Sequence, residues 1–183
     1  MKDHTTRNRF LVVAGLVFGA ALMRLLPHLP NFTPIAAIAL FGGAKLSKKW
    51  LAFLVPIAAM LMSDAALELL SPGNGFHHGM PLVYAAFALT VVIGLFVGAK
   101  GSSPLAVITG AVGGATLFYV TTNFGVWMMD GLYPPTLTGL VSCYVAAIPF
   151  YGYQLAGDLL YAGVLFGTFA WAERRIPAPA PAR

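Results

Sequence analysis

The sequence holds one cysteine, Cys143, and only six acidic residues, and charged side chains make up 9% of it. A single cysteine excludes an internal disulfide and any cysteine-rich metal site. So little charge excludes an ordinary soluble domain, in which roughly a quarter of residues are charged. Enzyme signatures are also missing. There is no glycine-rich phosphate loop, no His-Glu-x-x-His zinc helix, and no serine or cysteine nucleophile with a readable base beside it. The sequence therefore predicts no enzyme activity, and it implies no bound cofactor or metal.

What is abundant is apolar surface. Hydrophobic residues are 58% of the chain and the mean hydropathy is +0.79. The net charge of +5 does not read as a nucleic-acid patch, which needs Lys and Arg clustered on one exposed face. Here the basic residues punctuate apolar stretches, and only in alternate gaps. Lys2, Arg7 and Arg9 precede the first stretch, Lys45, Lys48 and Lys49 follow the second, Lys100 follows the fourth, and Arg174 and Arg175 follow the last. Arg24, at a helix edge, is the exception. Because basic residues near span ends stay on the cytoplasmic side, the pattern predicts an all-α membrane bundle of six transmembrane helices. Both termini are then cytoplasmic, in a bacterial inner membrane.

Measured against the roughly 20 apolar residues that one crossing needs, the spans fall at 10–26, 34–46, 51–70, 81–99, 104–129 and 145–171. Residues 1–175 make one domain, and 176–183 make a Pro/Ala tail expected to be extended and solvated. The N-terminus imitates a signal peptide, but Arg24 and further apolar residues follow its small-residue site at once, against cleavage. The second span is short: about 13 residues rise about 20 Å, which also suits a re-entrant hairpin. A hairpin would place Lys45, Lys48 and Lys49 outside, so the charge pattern favours a crossing. Thr33 is the expected N-cap of this helix, with Pro34 at its first position.

Small residues four apart recur at Gly15 and Gly19, Ala39 and Gly43, Ala59 and Ser63, Gly94 and Gly98, Gly110 and Gly114, and Gly163 and Gly167. Such pairs let helices approach closely in lipid. Most serve packing within the bundle, and Gly15 with Gly19 is the pair best placed to dock a partner membrane subunit.

Sorted by side, the polar residues gather in the outer half. His28 and Asn31 precede span two. Glu68, Asn74, His77 and His78 lie around the loop between spans three and four, and Asp130, Tyr133 and Thr136 lie between five and six. Within the spans, Asp64 and Asp158 stand out, since a carboxylate at a helix centre costs about 2.5–3.5 kcal/mol on insertion scales. Asp64 suits either ligand binding or a structural role. Asp158, with Gln154 and Tyr161 on its helix face, suits a polar link between helices, and Arg24 can partner either carboxylate. Tyr119, Asn123 and Trp127 follow one side of span five at i, i+4 and i+8, with Thr122 beside them. An amide in hydrocarbon needs partners, and a face of phenol, amide and indole suits an outward pocket for a planar polar ligand. Trp127 also suits a headgroup anchor. His77 and His78, being adjacent, do not share a helix face; they read either as solvated histidines or as ligands to a metal brought by a substrate.

Several segments carry a family resemblance: Arg24 to Ile35, the Ala-Leu-Phe-Gly-Gly-Ala run ending at Ala44, Ser63-Asp64, Gly75 to Tyr84, Thr122 to Trp127, and Cys143 to Phe150. They resemble uncharacterised bacterial membrane proteins related to the substrate-binding S components of energy-coupling-factor transporters. The resemblance implies a six-helix bundle that captures a vitamin-like small molecule from the outer side. It also implies energy from a partner ATPase and its membrane coupling subunit, or uptake drawn downhill by consumption inside. The solitary cobalamin-transporting S component is the closest named likeness, and it implies His28, Asp64 and Tyr84 as pocket residues for a corrinoid. Where that type has a cobalt-ligating residue in an outer loop, this chain offers no cysteine but His77, His78 and Met80. The expected substrate-binding set is His28, Asn31, Asp64, His77, His78, Tyr84, Tyr119, Asn123 and Trp127. The rival readings are a membrane assembly or scaffold protein, and an intramembrane enzyme using Asp64 and a histidine as acid and base.

Overall fold

A computed structural model describes residues 2–27 and 29–175; the Pro/Ala tail expected at 176–183 lies outside them. Among the described residues the chain is an all-α bundle of six helices: α1 (Lys2–Leu22), α2 (Ile35–Lys45), α3 (Lys49–Leu70), α4 (Met80–Ala99), α5 (Pro104–Met129) and α6 (Leu137–Glu173). A single 3-10 turn, Met23–Leu25, follows α1. Five of the six are long and apolar enough to cross a membrane; α2 is shorter. Large apolar side chains such as Trp50, Leu54, Met62, Phe96, Leu105 and Ile148 are exposed on the outside of the bundle, as a protein solvated by lipid requires. This is a membrane protein.

The centre of the bundle is α2. Residues Ala36 to Gly43 are all buried, and the helix touches each of the other five. Eleven residues rise only about 16 Å, well short of the roughly 30 Å hydrocarbon core, so α2 is sheltered by protein rather than matched to lipid. It runs as one helix and not as a hairpin. Its start lies by Asp158 and Gln154, and its end brings Lys45 to 5.3 and 5.5 Å from the rings of Phe169 and Phe166. Thr33 does not cap it. Pro34 stands in the capping position without a side-chain hydrogen bond.

Close backbone packing explains several small residues. Added Cβ atoms would strike the carbonyl of Leu40 from Gly94, that of Ala44 from Gly98, and that of Val91 from Gly43, so α2 and α4 lie backbone against backbone. Gly42 likewise leaves room for the ring of Pro56 in α3. A Cβ added at Gly15, Gly19, Gly163 or Gly167, by contrast, would meet no neighbouring element within 4 Å. The same i, i+4 spacing thus marks a packed seam in one place and an open face in another.

Two helices are longer than hydropathy suggests. α1 begins at Lys2 rather than near residue 10, its polar first turns continuing the apolar run. α6 begins at Leu137 rather than near 145, because the Thr136 hydroxyl accepts from the Gly139 amide at 3.1 Å and so starts the helix upstream of Pro149. The other bounds agree closely, with α5 matching at both ends.

The order of the helices sends the loops at 46–48 and 100–103, with the start of α1 and the end of α6, to one end of the bundle. The segments 23–34, 71–79 and 130–136 go to the other. Arg9 pairs with Glu173 at the first end, beside Lys45 and Lys48. Among the described residues, Arg24 is the one Lys or Arg at the second end.

Candidate functional site

At the loop-rich end the polar side chains form two constellations, one closed and one open. The closed one is centred on Asp64, whose side chain is 1% exposed. Arg24, carried over α3 by the turn after α1, places Nη1 2.6 Å from Asp64 Oδ1. The contact is an ion pair without hydrogen-bond alignment, and the same nitrogen donates to Ser63 Oγ. Ser63 in turn donates to the Met60 carbonyl at 2.8 Å. From α4, Tyr84 donates its hydroxyl proton to Asp64 Oδ2 at 2.7 Å. Both carboxylate oxygens are therefore engaged, and the cluster ties the turn after α1 to α3 and α4. Buried charge in a membrane bundle is found paired in this way.

The adjoining loop is held by Glu68. Its carboxylate accepts from the amides of Gly73, Gly75 and Phe76 at 3.0–3.2 Å, and Gly75 packs against the Asp64 carbonyl too closely for a Cβ. The segment that carries His77 is thus anchored to the end of α3. His77 Nδ1 accepts from the Gly79 amide at 3.2 Å.

The open constellation consists of two adjoining hollows. The first, of about 260 Å³, is lined by Asn31, His77, Tyr119, Thr122, Asn123, Tyr151 and Gln154 together with Val83, Phe118, Val126, Ala147 and Phe150. The second, of about 190 Å³, is lined by Arg24, Asn31, Thr33, Ile35, Ala36, Phe118, Gln154 and Asp158. Asn31, Phe118 and Gln154 belong to both. Asn31 takes a positive φ of 61°, a left-handed geometry that asparagine tolerates better than most residues, and this places it at the junction.

The walls are set by contacts between α5 and α6. Tyr119 donates to the Tyr144 carbonyl at 2.6 Å, and its ring lies 4.9 Å from that of Tyr151. Tyr144 donates back to the Val120 carbonyl at 2.7 Å, and the Cys143 thiol reaches the Asn123 carbonyl at 3.4 Å. Asn123 Nδ2 donates to the Tyr119 carbonyl at 2.8 Å, which fixes the rotamer of the amide on the lining face. Asp158 is 1% exposed, and neither of its oxygens makes a hydrogen bond. It lies against the amides of Ala36 and Ala37 at the start of α2, an electrostatic contact between α6 and α2.

Of the residues expected to bind substrate, the structure brings together Asn31, His77, Tyr119 and Asn123. Asp64 and Tyr84 sit behind the wall, reaching the second hollow only through Arg24. Trp127 is absent from the lining: its indole N–H donates to the Pro134 carbonyl at 3.1 Å and its ring packs 5.5 Å from Phe124. His78 is exposed on the loop and lines neither hollow. His28 lies outside the described residues. Sequence reasoning passed over Phe118, Tyr151 and the pocket position of Gln154. Tyr151, Gln154 and Asp158, spaced i, i+3 and i+7 on α6, were the signal for that second wall.

The chain belongs to a family of unknown function (DUF6580), whose sequence profile matches residues 4–179. No curated protein and no solved structure matches it.

Proposed function

We propose that this protein captures a small molecule at the loop-rich end of the bundle and passes it across the membrane, in the manner of a transporter S component. The observation that carries the reading is the joined pair of hollows, where Asn31, His77, Tyr119 and Asn123 meet Gln154 and Asp158 between aromatic walls. A concave site with apolar walls and a few convergent polar groups is the usual form of a small-molecule site. The basic end is opposite. With Lys and Arg kept to the cytoplasmic face, the hollows open outward.

Volumes of about 190 and 260 Å³ suit a compact metabolite better than a whole corrinoid with its macrocycle and nucleotide tail. Energy would come from an ATPase and its membrane coupling subunit docked on α1, whose Gly15 and Gly19 are exposed and uncovered, or from consumption of the ligand inside. An intramembrane enzyme using Asp64 as acid or base has less support, because both oxygens of that carboxylate are taken by Arg24 and Tyr84.

The test is ligand retention. Protein purified from its membrane, analysed by mass spectrometry for copurifying metabolites and screened by thermal shift against vitamins and tetrapyrroles, should yield a ligand. A ligand at 100 times its dissociation constant adds about 2.7 kcal/mol of stability. Asn123→Ala should remove that shift while the bundle stays folded. A chain that retains nothing, and that no metabolite stabilises, would refute capture.

A further inference from the structure

The polar wall of the second hollow carries a buried carboxyl group, that of Asp158, on which the protein closes no hydrogen bond. Arg24, the cation that reaches it, is already held by Asp64. Asp158 is almost wholly buried, with both oxygens unbonded. The Gln154 side chain and the amides of Ala36 and Ala37 in the first turn of α2 lie near enough to draw on its oxygens, in a geometry too poor for a closed hydrogen bond. A helix N-terminus supplies the equivalent of only about half a positive charge. A carboxylate accepts hydrogen bonds and donates none, so a ligand that completes this site on the ionised form brings N–H donors and positive charge.

The geometry points to a protonated primary amine as the ligand class, its ammonium group seated on Asp158 and Gln154 and its body extending past Phe118 into the first hollow. This inference rests on the capture reading and narrows it. An ammonium group carries three donors in a compact head, which suits a hollow of about 190 Å³. Phe118 borders both hollows, where a ring face attracts a cation within about 6 Å. A metal ion fits less well: among the described residues no three His, Cys, Asp or Glu side chains come together to hold one. An anion would meet the Asp158 carboxylate.

The experiment compares primary amines with the alcohols of the same carbon frame on the full-length protein in detergent: 2-phenylethylamine with 2-phenylethanol, 1,4-diaminobutane with 1,4-butanediol, and ethanolamine with ethylene glycol. At least one amine is expected to raise Tm saturably while its alcohol does not, and Asp158→Asn is expected to weaken that amine at least tenfold. Gln154→Ala should weaken it severalfold, which keeps a test if the Asp158 variant fails to fold. Equal shifts from every amine and its alcohol, or an undiminished amine shift in folded Asp158→Asn, would overturn the assignment. Stabilisation by neutral or anionic metabolites alone would overturn the ammonium assignment and leave capture standing. No stabilisation by any compound would overturn both.

Discussion

Replacing Asp64 by Ala should be among the most damaging single changes in the bundle. The substitution leaves the Arg24 guanidinium, whose side chain is 10% exposed, without its counter-charge, and leaves the Tyr84 hydroxyl without its acceptor. Removing one partner of a buried ion pair costs about 3–5 kcal/mol, chiefly through the stranded charge. For a chain of this size each kcal/mol lowers Tm by about 2–4 °C, so the expected loss is about 6–20 °C. Tyr84→Phe removes one hydrogen bond to a charged group, about 1.5–3 kcal/mol, and leaves the ion pair intact. The double variant Arg24→Met with Asp64→Leu removes both charges, and should lose much less than the two single changes added together. The assay is thermal unfolding of the purified protein in one detergent, with the wild type, Asp64→Ala, Tyr84→Phe, Arg24→Met, Asp64→Leu and the double variant measured side by side. A loss under about 2 °C for Asp64→Ala, or a double variant as unstable as the sum, would show that Asp64 does not hold Arg24 as described.

Asp158 should behave differently: with neither oxygen in a closed hydrogen bond, Asp158→Asn should change ligand-free stability by no more than about 1.5 kcal/mol, and a loss as large as that of Asp64→Ala would contradict that. Gly94→Ala drives a Cβ into the Leu40 carbonyl and should cost about 1–3 kcal/mol, whereas Gly15→Ala meets open space and should change stability by less than about 0.5 kcal/mol; thermal shift compares them directly. Glu68→Ala should speed amide exchange at Gly73, Gly75 and Phe76, read by hydrogen-exchange mass spectrometry, while protection in α4 is retained. In a Cys143→Ser background, a cysteine placed at Lys48 should resist membrane-impermeant thiol reagents in intact cells and one placed at Asn74 should react; the reverse would turn the bundle over.

The bundle was legible in the sequence because hydrocarbon imposes length and punctuation, and the ends of α5, at Pro104 and Met129, could be read directly. Hydropathy could not see a helix continuing beyond its apolar run, as α1 does through Arg7 and Arg9. Nor could it see a cap such as Thr136 starting α6 ahead of Pro149. Periodicity found the α5 face but overran it. Tyr119 and Asn123 share a lining, while Trp127, one turn further on, is drawn away by the Pro134 carbonyl. Which carboxylate Arg24 would take was open in the sequence, because the choice depends on how the turn after α1 crosses α3. Gly15 with Gly19 and Gly94 with Gly98 read alike, for spacing records that a helix can be approached and not what approaches it.

The shortness of α2 also bears on biogenesis. A segment rising about 16 Å is a poor lodger in a bilayer by itself, yet its eight residues from Ala36 to Gly43 are wholly covered in the finished molecule. Part of that cover, Val91 and Gly94, belongs to α4, synthesised some 50 residues later. A nascent chain stopped before α4 would therefore hold its central helix half-wrapped, and insertion of the middle has to wait for the arrival of the wall.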